Sequence, residues 1–118
     1  DLDRLVTRID QIRKAGYKVA MDDFGVDSLN LTLLSLVKLD VLKIDKGFLK
    51  GIISNKSSRI ILGAMTKMCD EMGIQLIAEG IEDEQQLNIL KEYGVKTVQG
   101  FLFSRPIEIS EFEAKYMI

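Results

Sequence analysis

The sequence predicts an α/β fold of four parallel strands alternating with helices, on the rhythm of half a TIM-type (β/α)8 barrel. Three observations carry this. Helix-like and strand-like stretches alternate along the whole chain, and such alternation requires parallel strands joined by right-handed crossovers. Four strand segments fit within 118 residues, the spacing of a barrel that closes at about 250 residues. One cadence also recurs, in Gly16-Tyr17-Lys18-Val19-Ala20-Met21-Asp22, in Gly73-Ile74-Gln75-Leu76-Ile77-Ala78-Glu79 and in Gly94-Val95-Lys96-Thr97-Val98-Gln99-Gly100. An open doubly wound sheet is the competing closure.

Taken in order, Leu2, Leu5, Val6, Ile9 and Ile12 recur at helical spacing and Gly16 supplies a stop, so residues 2–15 read as an amphipathic helix. Tyr17 to Met21 reads as a strand, and the leucines from Leu29 to Leu36 with Val37 fit a helix buried on most sides. Val41 to Ile44 is the second strand. A looser stretch follows, with Gly47, Gly51 and Ser54-Asn55-Lys56-Ser57. The next helix carries Ile60, Ile61, Ala64, Met65, Met68 and Cys69 on one face, is capped by Ser57 or Ser58, and ends at Gly73. Ile74 to Ala78 forms the third strand. Asp83 with Gln86 makes a capping pair for a helix through Leu87, Leu90 and Tyr93, which Gly94 stops. Val95 to Leu102 is the fourth strand, and residues 110–117 read as a terminal helix capped by Ser110.

Composition narrows the chemistry. With 47% hydrophobic residues and one proline, the chain builds a packed core and not a disordered tract. Sixteen basic and 18 acidic residues are interspersed for a net charge of −2, so no polymer of DNA or RNA and no membrane surface is expected as a partner. No apolar run approaches the ~20 residues that span a bilayer. The single cysteine, Cys69, excludes a disulfide framework and fits a reducing, cytoplasmic setting, although a longer parent protein has room for a membrane tether. Histidine is absent, which removes imidazole catalysis and most zinc sites.

The candidate site follows from the cadence. Asp22 and Glu79 hold the same phase, six residues after their glycines, at the C-terminal ends of their strands. Lys43 and Gln99 lie at comparable depth in the neighbouring strands. Ligands of parallel α/β folds sit at that end. Each residue alone has a plainer reading: Asp22-Asp23 as turn and cap, Lys43 as an edge lysine, Glu79 and Glu82 as first-turn acids. Together, carboxylates and one ammonium without histidine suit a hard cation such as Mg²⁺, Mn²⁺ or Ca²⁺. Magnesium and manganese on carboxylates mostly serve phosphoryl transfer, so phosphodiester hydrolysis is expected, with enolate and aldol chemistry as the barrel alternatives.

Four motifs point further. Asp22-Asp23-Phe24-Gly25, Leu42-Lys43-Ile44-Asp45 with Phe48, Ala78-Glu79-Gly80-Ile81-Glu82 followed by Gln86, and Gln99-Gly100-Phe101-Leu102-Phe103-Ser104 with Pro106 together resemble the EAL family of bacterial cyclic-di-GMP phosphodiesterases. The resemblance spans residues 1–118 as a partial EAL domain, its C-terminal half. It implies a modified TIM barrel that opens cyclic-di-GMP to linear pGpG with two Mg²⁺ or Mn²⁺ ions. By position, Asp22 resembles the carboxylate shared between the metals and Asp23 a ligand of the second. Lys43 resembles the lysine that orients the attacking water, Glu79 a metal-site carboxylate, Gln99 the glutamine near that water, and Glu82 the glutamate anchoring the loop after the double aspartate. Asp45 resembles an outer-shell group.

The family's Glu-Ala-Leu motif and its Asn and Glu ligands belong upstream, so this chain by itself is expected to be inactive. After Gly25 the family usually continues Thr-Gly-Tyr-Ser-Ser-Leu, where this chain has Val26-Asp27-Ser28-Leu29-Asn30-Leu31. That difference keeps a second function in view, a degenerate domain acting as a cyclic-di-GMP sensor or protein-interaction module. Half a barrel leaves the strands at 17–22 and 95–102 with unpaired edges, so a homodimer or larger assembly is expected.

Overall fold

The computed structural model describes residues 2–24, 29–99 and 107–110. In chain order the elements are α1 (Leu2–Lys14), β1 (Ala20–Phe24), α2 (Leu29–Leu36), β2 (Val41–Ile44), α3 (Lys46–Gly51), α4 (Lys56–Met72), β3 (Gln75–Glu79), α5 (Glu84–Glu92), β4 (Thr97–Gln99) and β5 (Ile107–Glu108). They build one sheet in the order β1-β2-β3-β4-β5. The first four strands are parallel, as the alternation of helix and strand demands, and β5 runs antiparallel to β4.

Register sorts the side chains into two faces. Leu42 lies beside Leu76, Ile44 beside Ala78 and Ala78 beside Val98. All five are buried and belong to one core with Leu62, Met65 and Cys69 of α4 and Leu87 and Leu90 of α5. Completely burying one such leucine or isoleucine stabilises the fold by roughly 1.5–3 kcal/mol. The opposite face carries Val41, Lys43, Gln75, Ile77, Glu79, Thr97 and Gln99, since Lys43 lies beside Ile77 and Glu79 beside Gln99. Ile77 is buried but stands outside the main core cluster, as a place on this second face requires. Among the described residues no helix is long and apolar enough to cross a membrane.

Local signals explain most boundaries. Gly16 at φ 95° ends α1, its N–H donating to Arg13 O at 2.9 Å. Gly73 at φ 69° ends α4 in the left-handed conformation, and Lys38 Nζ donates to Met72 O and Gly73 O there. A cation at a helix C-terminus is favoured by the aligned peptide dipoles. Asp83 caps α5 by accepting from Gln86 N at 2.8 Å.

The structure departs from the sequence reading in several places. α2, expected to be buried on most sides, leaves Leu31 and Leu36 64% and 52% exposed. β1 runs to Phe24, so Asp22 and Asp23 lie inside the strand and not after it. The stretch expected to be loose contains α3, capped by Asp45. The cap of α4 is Asn55, whose Oδ1 accepts from Ser58 N, and not Ser57 or Ser58. Its buried residues are Leu62, Met65, Thr66 and Cys69, a clean i, i+3, i+4, i+7 set, while Ile60 and Ile61 are 61% and 50% exposed. Finally, the far edge of β4 is not bare, because β5 pairs with it through Thr97 with Glu108 and Val98 with Ile107. Residues 100–102 of the expected fourth strand and 111–117 of the expected last helix lie outside the described residues.

Candidate active site

Pairing brings the candidate residues to one end of the sheet. Ala20 lies beside Val41 and Met21 beside Leu42, but the next partner of β2 is Phe24, beside Ile44. Two residues, Asp22 and Asp23, therefore occupy the span that Lys43 alone occupies on β2. Such an extra residue re-aims side chains, and bulges concentrate beside active sites. The Asp22 side chain is exposed. Asp23 has its backbone in β1, with its side chain outside the described residues, as is the segment Gly25-Val26-Asp27-Ser28.

Lys43 stands between Leu42 and Ile44, both fully buried on the helix-covered face, so its own side chain must take the other face. There its Nζ lies 3.4 Å from Glu79 Oε1, with 24% and 32% of the two side chains exposed. Burial is the largest cause raising the Glu79 carboxyl above its ordinary value, followed by the charge of Asp22. The contact with Lys43 acts in the opposite direction, and a side-chain hydrogen bond with Asp22 adds to the rise. Asp22 therefore lies near enough to Glu79 for its charge to act on that carboxyl.

The remaining candidates surround this pair. Gln99, half-buried at the end of β4, is in register with Glu79, and its carbonyl accepts from Gly80 N at 2.7 Å. Glu82 is exposed at the rim, its Oε1 3.6 Å from Lys46 Nζ, and its N–H donates to Gln86 Oε1 at 2.8 Å. Asp45 accepts from Gly47 N at 2.9 Å and so caps α3. The structure therefore brings Lys43, Glu79, Asp22 and Gln99 to one mouth and leaves Asp45 and Glu82 in the loops behind it.

As donors, Asp22 and Glu79 fit a hard divalent cation in kind, since each offers oxygen and the two repel when both are charged. They do not complete a ligand set: among the described residues no group of three or more His, Cys, Asp or Glu gathers to hold a metal ion. Sequence reasoning missed Lys46 and the depth of Gln86. Gln86 is 3% exposed and also donates from Nε2 to Leu49 O at 3.2 Å. The signal for Lys46 was its place three residues after Lys43, matching Glu82 three residues after Glu79.

Parallel strands that deliver carboxylates, a lysine and a glutamine to their C-terminal ends define an α/β-barrel type of protein with an oxygen-donor site. The chain belongs to the EAL domain family, whose family model matches residues 1–106. It is 33% identical over 113 residues to the cyclic di-GMP phosphodiesterase NbdA of Pseudomonas aeruginosa, an alignment covering 96% of this chain and 14% of that protein. The EAL domain of Mycobacterium smegmatis DcpA superposes with a TM-score of 0.79 at 36% identity, over 97% of this chain and 51% of that one. The manganese/cy-diGMP complex of Klebsiella pneumoniae BlrP1 gives a TM-score of 0.81 at 32% identity, over 92% of this chain and 28% of that one. The chain thus spans about a seventh of NbdA and about half of the solved DcpA domain.

Proposed function

We propose that residues 1–118 are the C-terminal half-barrel of a phosphodiesterase domain that hydrolyses cyclic-di-GMP to linear pGpG, the isolated chain being inactive. The observation that carries this is the pairing of Lys43 with Glu79 beside Asp22 at the C-terminal mouth of the sheet. Family membership and relatives named as cyclic di-GMP phosphodiesterases support it.

In this reading Asp22, Asp23 and Glu79 would hold two Mg²⁺ or Mn²⁺ ions together with ligands from the other half of the domain. Bound there, the ions supply Lewis acidity and lower the pKa of water. The chain's own residues do the rest. An ammonium carries three donors, so Lys43 Nζ can hold Glu79 Oε1 and still donate to a phosphate oxygen as negative charge grows on it. Lys43 would also orient the attacking water, with Gln99, level with Glu79, beside it. The water oxygen bonds to phosphorus as the P–O3′ bond breaks, its electron pair leaves with the ribose oxygen, and the proton the water loses is balanced by the one that oxygen takes up. Glu82 anchors the loop after the double aspartate, and Asp45 supports Lys43 from outside by fixing the start of α3. For the isolated chain a homodimer is supported by β1, which among the described residues is paired on one side only. A cytoplasmic setting is supported by the buried free thiol of Cys69.

The test is incubation of the full-length protein with cyclic-di-GMP and Mn²⁺, separating products by chromatography. Formation of pGpG by the full-length protein, with none from residues 1–118 alone, is the expected result. Calorimetric binding without turnover would replace the enzyme with a sensor, and neither binding nor turnover would leave a protein-interaction role.

A further inference from the structure

Two lysine–glutamate pairs bridge β2 and β3 at their C-terminal ends, and both partners advance by three residues from the first pair to the second. The inner one is Lys43 with Glu79, at 3.4 Å, and the outer one is Lys46 with Glu82, at 3.6 Å. The outer pair is exposed, 59% and 43% for the two side chains, so its charge attraction adds little stability. Its geometry does more. Gly80, directly after Glu79, adopts φ +73°, and the stem of Lys46 lies against it: a Cβ at residue 80 would come within 2.9 Å of Lys46 Cγ and 3.1 Å of Cδ. One side chain thus packs on the residue following Glu79 and reaches the carboxylate of Glu82.

The backbone on either side is held. Asp45 caps α3 through Gly47 N at 2.9 Å, which fixes Lys46 as the first helical residue. Gly80 N donates to Gln99 O at 2.7 Å. Gln86 ties the same two segments from beneath, accepting from Glu82 N and donating to Leu49 O at the far end of α3. Lys43 and Lys46 therefore ride on one strand-to-helix junction, Glu79 and Glu82 on the next, and the Lys46 stem is the exposed strut between them.

We propose that Lys46 is a positioning residue: its stem fixes the left-handed turn at Gly80 and its ammonium holds Glu82, and together these set where Glu79 presents its carboxylate to Lys43. This rests on the reading of the mouth as a phosphodiester site, and the experiment separates the two. In the full-length protein, Lys46→Ala removes stem and charge, Lys46→Met keeps most of the stem, and Lys46→Arg keeps both. Hydrogen exchange read by mass spectrometry over residues 79–86 is expected to rise ~10-fold in Lys46→Ala, to rise by a smaller factor in Lys46→Met, which keeps the stem but releases Glu82, and to stay near wild type in Lys46→Arg. With cyclic-di-GMP and Mn²⁺, Lys46→Ala is expected to lower kcat ~10- to 100-fold with KM little changed, and Lys46→Arg to restore it. Unchanged exchange over 79–86 in Lys46→Ala, or an equal rise across the whole sheet, would overturn the proposal. If the wild type does not turn over, the phosphodiester reading falls, and the exchange comparison still decides whether Lys46 sets the loop.

Discussion

At the N-terminal end of the sheet Asp40 accepts from Arg13 Nε at 3.2 Å, Arg13 Nη2 at 3.0 Å and Val19 N at 2.8 Å, while at the other end Glu79 meets Lys43 and feels the charge of Asp22. The backbone of Asp40 also ties the segments leading into β1 and β2 to the start of β3, its N–H donating to Val19 O at 2.9 Å and its carbonyl accepting from Gln75 N at 3.0 Å. The hydrogen bond from Arg13, then that from Val19, hold the Asp40 carboxyl below its ordinary value. Burial and then Asp22 push Glu79 the opposite way. Both acids have a basic partner, so the presence of an ion pair does not separate them. What separates them is the rest of the surroundings: donors converge on Asp40, and a second carboxylate stands against Glu79. A satisfied carboxylate ties elements together, whereas one held at an electrostatic cost is a candidate for binding or chemistry.

The largest expected effect is at the mouth. Glu79→Gln in the full-length protein is expected to cut cyclic-di-GMP turnover ~10²- to 10³-fold, the range for losing one charged group from a reacting centre, checked by single-turnover kinetics. At the opposite end, Asp40→Asn is expected to lower the melting temperature by several degrees while sparing turnover per folded molecule, read by calorimetry alongside the assay.

A pH series sharpens the contrast. The folded pKa of Asp40 lies below its unfolded value, so its contribution is present above the ordinary value of 3.8 and is lost as pH falls through the folded pKa. Glu79 has the reverse sign: with its pKa raised above 4.5, it favours the fold most below that value and loses this as pH rises through the folded pKa. Acid titration of stability should therefore flatten in Asp40→Asn relative to wild type, measured as the denaturant midpoint at successive pH values.

The smallest effect is a reporter. Cys69 is 1% exposed, and burial, then the charge of Asp70, push its thiol up to about 11. It should resist thiol reagents at pH 7 in the native protein and label only as the fold opens. Faster labelling is expected in Asp40→Asn and an unchanged rate in Glu79→Gln.

The difference between the two ends was only half legible in the sequence. The mouth could be read because strand period and the repeated glycine put Asp22 and Glu79 at one phase, and because Lys43 breaks an apolar strand. The Arg13–Asp40 anchor could not, since its partners lie 27 residues apart on different elements and neither stands out locally. The short elements failed for a related reason. α3 has six residues and β5 two, too few for either period to register, and β5 exists through pairing with β4. On α4, apolar residues line more than one side, so Ile60 and Ile61 read as core until packing chose the Leu62, Met65 and Cys69 stripe. The bulge that sets Asp22 and Asp23 against Lys43 depends on register with a neighbouring strand, which no local pattern encodes.

The measurement that tests this account most directly is the melting temperature of Glu79→Gln at pH 7 without divalent ions. If Glu79 is held at the mouth against its own electrostatics, the variant melts at or above wild type while Asp40→Asn melts below it. A fall in Glu79→Gln as large as that in Asp40→Asn would show that both carboxylates serve the fold, and would contradict the account.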